Sequence, residues 1–100
     1  MLVNEGIWVT AVLEINDKVD VKLELDEIEH FCQQMESEAG CIMATASQDK
    51  DNPRRVVLWE VYQDEKAINA HFEMPHTQAF INRKTTTLIH AHNSLPLGAK

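Results

Sequence analysis

Cysteine, proline and glycine are all scarce in this sequence: two cysteines, three prolines and three glycines in 100 residues. Cys32 and Cys41 are too few for a disulfide-held scaffold, and neither belongs to a pair with metal-site spacing. They read as reduced thiols of a cytoplasmic protein, with no neighbouring feature that would lower either pKa toward a nucleophile's. No linker, low-complexity tract or internal repeat breaks the chain. Basic residues are also in the minority, 9 against 16 acidic ones, for a net charge of -7. That balance favours solubility and argues against DNA, RNA or an anionic membrane as the partner, since each calls for clustered Lys and Arg. The only basic doublets are Arg54-Arg55 and Arg83-Lys84. Either could hold one phosphate, but a solvated turn or helix end is the commoner use. No stretch approaches the roughly 20 apolar residues of a membrane span. The start, Met1-Leu2-Val3-Asn4-Glu5, lacks a basic segment leading into an apolar run and is expected to begin the mature domain.

What is present is enough for one domain over residues 1–100, with a core expected at about 5–93 and a tail at 94–100. A chain this short buries only about two thirds of the surface its unfolded form exposes, so its own core is thin. Ile7 to Ile15 is β-branched and apolar nearly throughout, as in a strand buried on both faces. Beyond Asn16-Asp17-Lys18 the pattern is ambiguous, because Val19, Val21, Leu23 and Leu25 alternate with charged residues. Val21, Leu25, Ile28, Cys32, Met35 and Ala39, however, make one apolar stripe at helical spacing. Asp26, Glu27, Glu29, Gln33 and Glu36 then face water. A helix is expected over about residues 20–39, closed by Gly40.

Cys41 to Gln48 and Arg55 to Tyr62 are strand candidates joined by the turn formers Asp49-Lys50-Asp51-Asn52-Pro53, and the two are expected to form a hairpin. Asp64 suits the N-cap of a helix through Ala67, Ile68, His71 and Phe72. Pro75 interrupts that helix, and His76 to Ile81 begins a further turn or short helix. Thr86 to His92 is the last strand.

The order β-α-β-β-α-β is that of an α+β, ferredoxin-like fold with an antiparallel sheet and helices on one face. The first and third strands are central in that fold, and here those two lack polar alternation. Their second apolar face needs a cover, which another copy of the sheet would supply. A homodimer is therefore expected from composition.

Between residues 40 and 80 stand Gly40-Cys41, Trp59-Glu60-Val61-Tyr62, Asp64-Glu65, Ala70-His71, Pro75-His76 and Ala79-Phe80. In this order and spacing they resemble the antibiotic biosynthesis monooxygenase family of dimeric α/β barrels. The resemblance implies a homodimer with an apolar pocket between sheet and helices. It also implies oxidation of electron-rich phenols or quinols by dioxygen without flavin, haem or metal, so no cofactor is expected. Similar sequences include an isomerase of a phosphorylated signal breakdown product and haem-degrading enzymes. The haem branch resembles a pattern with tryptophan at the position of His71 and a histidine ligand several residues after the proline. Thr77 to Asn82 contains no histidine, so haem is disfavoured.

His71 and His76 are the candidate bases, able to take a proton from a phenol or enol near neutral pH. The bland alternatives are a packing role for His71 and a cap for His76. Glu60 is the odd residue in an apolar strand and must be paired if buried, with His71 or Arg83 as the expected partner. It serves either as a structural ion pair or as the group that orients the base. Tyr62 shares the parity of Glu60, whereas Trp59 points to the opposite face, toward the expected dimer interface. Phe72 and Phe80 are the candidate pocket walls, and Trp8 is a core residue. His90 and His92 share a strand face but lack a third ligand, and His30 faces solvent, so no metal site is expected. The expected function is a cofactor-independent monooxygenase of a small quinol-like, phenol-like or enolisable substrate. An isomerase of a small phosphorylated carbonyl compound and a non-catalytic small-molecule-binding dimer are the alternatives.

Overall fold

The computed structural model describes residues 5–98. The expected start at Met1–Asn4 and the end of the expected tail, Ala99–Lys100, lie outside the described residues. Strand β1 (Ile7–Ile15) leads into α1 (Val21–Glu36), then β2 (Cys41–Gln48), β3 (Arg55–Tyr62), α2 (Glu65–Glu73), α3 (Pro75–Arg83) and β4 (Thr86–Ser94). The sheet order is β2-β3-β1-β4 and every pairing is antiparallel. The two strands without polar alternation, β1 and β3, are therefore the inner pair, as expected for the ferredoxin-like arrangement.

Opposite faces of these strands have opposite fates. Val9, Ala11, Leu13 and Ile15 of β1 share a face with Val56, Leu58, Glu60 and Tyr62 of β3. That face meets Ile28, Phe31, Cys32 and Met35 of α1 and Ile68 of α2 in one core. Trp8, expected in the core, looks the other way with Thr10, Val12, Glu14, Val57 and Trp59, and none of these belongs to the core built under the helices. Trp59 is 45% exposed on that open face, where its indole N–H donates to Ser47 Oγ at 2.9 Å.

Helix α1 starts on Asp20, whose side chain accepts from the Leu23 amide, but it stops at Glu36, three residues short of the sequence expectation. Ser37 closes it, and the Glu38 amide bonds back to Met35 O in a tighter turn. This tightening reverses the predicted facing of the last residues: Glu38 is buried and Ala39 is exposed. Gly40 is consequently not a helix cap. A Cβ there would overlap the methyl group of Ala67, so its smallness lets α2 lie directly against the start of β2. Asp64 caps α2 through the Ala67 amide, as its position suggests. The segment after Pro75 is a full nine-residue helix, with proline at its first turn, where no N–H is needed. Among the described residues no helix is long and apolar enough to cross a membrane.

Candidate active site

A cavity of about 420 Å³ lies between the sheet and the three helices. Its floor is Val9, Ala11 and Leu13 of β1 with Leu58, Glu60 and Tyr62 of β3. Its roof is Phe31, Ile68, His71, Phe72, Thr77 and Phe80. Phe31 and Phe80 stack at 4.3 Å and 6° between planes, closing one wall. Phe72, Ile81 and Leu88 also line the cavity yet are half or more exposed, so they form an apolar mouth on the β4 side. Of the expected walls, Phe80 is interior and Phe72 belongs to the rim.

Glu60 and Tyr62 stand side by side on the floor, as strand parity requires. The Tyr62 hydroxyl donates to Glu60 Oε1 at 2.6 Å, and the second carboxylate oxygen has no protein partner among the described residues. Glu60 is therefore paired with neither His71 nor Arg83, contrary to expectation. Tyr62 sits two residues on along the same strand and reaches it first. Arg83 is instead bonded to the buried Glu24, which also accepts from Thr85 Oγ1 at 2.9 Å. Burial pushes the Glu60 carboxyl above its ordinary value of 4.5, aided by Glu38, while the Tyr62 bond and His71 pull it back. Tyr62 is raised in turn by burial and by Glu60.

This shift makes stability depend on pH. Unfolded, Glu60 ionises at its ordinary value; folded, it keeps its proton to higher pH. Between the two values the folded state binds more protons, so stability falls as pH rises through that window and levels off beyond it. Glu60→Gln retains an acceptor for Tyr62 and removes the titration. The variant is expected to match the parent in thermal melts at acid pH, where both folded and unfolded carboxyls are protonated, and to gain on it as pH rises above the ordinary carboxyl value. A difference that stays flat over that range would refute the assignment.

His71 faces the cavity from the last turn of α2, but a different carboxylate holds it. Its Nδ1 lies 2.9 Å from Glu38 Oε2 and 3.2 Å from Oε1. His76 Nε2 contacts the same Glu38 Oε2 at 2.6 Å. The Glu38 and His71 side chains are only 4% and 6% exposed, which places this pairing in the interior. Nε2 of His71 has no protein partner among the described residues. His76, projecting from the opposite side of Glu38, lines a separate groove between α1 and α3 instead of the cavity. The structure thus unites His71, Glu60, Tyr62, Phe72 and Phe80 around one space, leaves His76 outside it, and adds Glu38. Glu38 was invisible to the sequence reading because a helical stripe extended to Ala39 turns it toward water.

The remaining candidates lie elsewhere. Arg54 Nη1 donates to Asn16 O at 2.7 Å and Val19 O at 3.2 Å, and Arg55 pairs with Glu14 at 2.7 Å. With Arg83 also engaged, neither basic doublet contributes to the cavity lining. Burial pushes the thiols of Cys32 and Cys41 up to about 12, far from a nucleophile's range. His90 and His92 stack at 5.8 Å on the open sheet face, away from the cavity.

The model of the family described as antibiotic biosynthesis monooxygenase matches residues 23–83, which run from the first turn of α1 to the end of α3 and include Glu38, Glu60, Tyr62, His71 and His76. The chain belongs to the antibiotic biosynthesis monooxygenase family. It is 30% identical over 70 residues to the uncharacterised protein YjcS of Bacillus subtilis, a stretch covering 70% of this chain and 67% of that one. A solved structure of a protein named YJCS superposes with a TM-score of 0.81 at 26% identity, over 88% of this chain and 95% of the other. SnoaB, a cofactor-independent oxygenase from Streptomyces nogalater, superposes at 0.76 with 12% identity, over 91% and 92% of the two chains. At that identity the likeness to SnoaB is one of fold. The family match includes the run from Trp59 to Phe80, which supplies Glu60 and Tyr62 of the cavity floor and all of its roof but Phe31.

Proposed function

We propose that the protein is a cofactor-independent monooxygenase of a small, flat phenol or hydroquinone, working as a homodimer. The observation that carries this is the free oxygen of Glu60, a carboxylate of raised basicity on the floor of an otherwise largely apolar cavity. A cavity of about 420 Å³ suits a compound of two or three fused rings, by the usual size of small-molecule sites. Glu60 takes the substrate hydroxyl proton, and Tyr62 steadies the carboxylate by its hydrogen bond. The resulting anion is electron-rich enough to reduce dioxygen directly. One oxygen atom enters the ring at a C–H position, and the other leaves as water with the two hydrogens and two electrons the substrate gives up, so a phenol becomes a quinone. The apolar walls keep bulk water from the intermediate.

Homodimerisation rests on the open sheet face, where Trp59 is exposed and Trp8, Val12 and Val57 are only half-buried by their own chain. Two reduced cysteines agree with a cytoplasmic setting. The isomerase alternative loses support because the arginines that would hold a phosphate are engaged elsewhere.

The test is oxygen-dependent turnover of 1,4-naphthohydroquinone and related dihydroxynaphthalenes, corrected for autoxidation. Glu60→Gln is expected to lower the rate by about 10²–10⁴-fold, the usual contribution of a positioned base. Ala11→Trp fills the cavity floor and should abolish substrate binding. Equal rates in the parent and in Glu60→Gln, or product formed without dioxygen, would overturn the proposal.

A further inference from the structure

We infer that Glu38, His71 and His76 form a binding site for a borderline divalent transition-metal cation of the zinc type. This site is distinct from the proposed chemistry at Glu60 and does not depend on it. Three elements converge here: the turn after α1 supplies Glu38, the last turn of α2 supplies His71, and the first turn of α3 supplies His76. One carboxylate oxygen and two imidazole nitrogens, Nδ1 of His71 and Nε2 of His76, lie within 4.8 Å of one another. Two histidines and one glutamate are a ligand set that zinc takes in sites with an open fourth position.

Around His71 Nδ1 stand three oxygens: both of Glu38 and Thr77 Oγ1, the last at 3.3 Å. Charge counting supports the inference. Among the described residues no Lys or Arg pairs with Glu38, so the buried carboxylate has only the two imidazoles beside it. A dication accepts both nitrogens and the carboxylate oxygen at once and reverses that charge.

The present spacings of 2.6 Å and 2.9 Å must open by roughly half to three quarters of an ångström to suit a tetrahedral shell. His76 is the ligand free to give. Its side chain is 15% exposed, and it stands beside Pro75 at the helix start. The groove of about 200 Å³ between α1 and α3, which His76 lines, is the route of access, and Glu27 lines it as well. Metal on Nδ1 obliges His71 to carry its hydrogen on Nε2.

The experiment uses the full chain, stripped with chelator and titrated calorimetrically with Zn²⁺, and with Co²⁺ followed by visible absorption. Expected are one ion per chain and a cobalt spectrum of a low-coordinate site with nitrogen ligands. His76→Gln should weaken binding by at least the roughly 10–100-fold that loss of even an outer partner costs. The paired replacement His90→Gln with His92→Gln removes the other histidine pair and should leave affinity unchanged. Thermal melts establish that each variant is folded. Absence of saturable binding, or binding that survives His76→Gln but is lost with the His90 and His92 replacements, overturns the inference. Loss of turnover in Glu60→Gln would be unaffected by either result, so the two proposals fail separately.

Discussion

Glu38→Ala is expected to destabilise the protein by about 3 kcal/mol, the usual cost of breaking a buried pairing from one side. In a domain of this size that corresponds to a fall of roughly 10–20 °C in melting temperature. The carboxylate is the shared acceptor of two imidazole nitrogens at 2.6 Å and 2.9 Å, and its side chain is 4% exposed. Alanine leaves both nitrogens without that acceptor in the interior and opens a void among α1, α2 and α3. Glu38→Gln is the informative companion. Its amide oxygen accepts from one histidine while its NH₂ donates to the other in the opposite tautomer, so most of the stability should return. Both melts belong in chelator and at one protein concentration, because a bound ion or a partner subunit adds stability by mass action. A loss below about 1 kcal/mol for Glu38→Ala would mean that water replaces the carboxylate without difficulty.

Val12→Arg is expected to convert the protein from dimer to monomer at micromolar concentration. Val12 lies on an inner strand, opposite Val57 on one side and His90 on the other, at the middle of the open sheet face. An arginine there would be desolvated against its own symmetry mate, two like charges meeting across the interface. A loss of about 4 kcal/mol in association raises the dissociation constant about a thousandfold. Sedimentation reads the outcome directly: the parent should run at twice 11.4 kDa and the variant at 11.4 kDa. The helix side of the variant should remain folded, since Val12 does not reach the core. A parent chain that sediments as a monomer would refute the pairing of open faces and require another explanation for Trp8, Val57 and Trp59.

The strands were legible in the sequence because their chemistry is local. β1, β2 and β3 coincide with runs of β-branched and apolar residues ended by turn formers, and β4 only runs two residues further than expected. The inner pair could be read because double burial removes alternation. Parity placed Glu60 and Tyr62 together and Trp59 opposite them. What could not be read was contact between distant segments. Glu38 belongs to His71 through tertiary packing alone, and a helical stripe that fits six apolar positions gives no warning that the helix closes early. The partner of Glu60 was misassigned for a related reason. Charge complementarity nominated a histidine or an arginine, whereas a neutral phenol two residues away was nearer. His71 and His76 both reach Glu38, but Pro75 begins a new helix, so they meet that carboxylate from opposite sides and only His71 lines the cavity with Glu60.

Gly40 and Ala67 bear on how such a protein can change over generations. The two positions touch through a single methyl group, and α2, which carries His71, is seated by that touch. A larger residue at 40 lifts the helix, while one at 67 has nowhere to go, so neither site tolerates growth in the background of the other. Enlargement at 40 becomes permissible only after Ala67 shrinks to glycine, whereas growth at 67 has no such release because Gly40 has nothing left to lose, a one-way epistatic lock that ties mutational drift at the mouth of β2 to the spacing between Glu38 and His71.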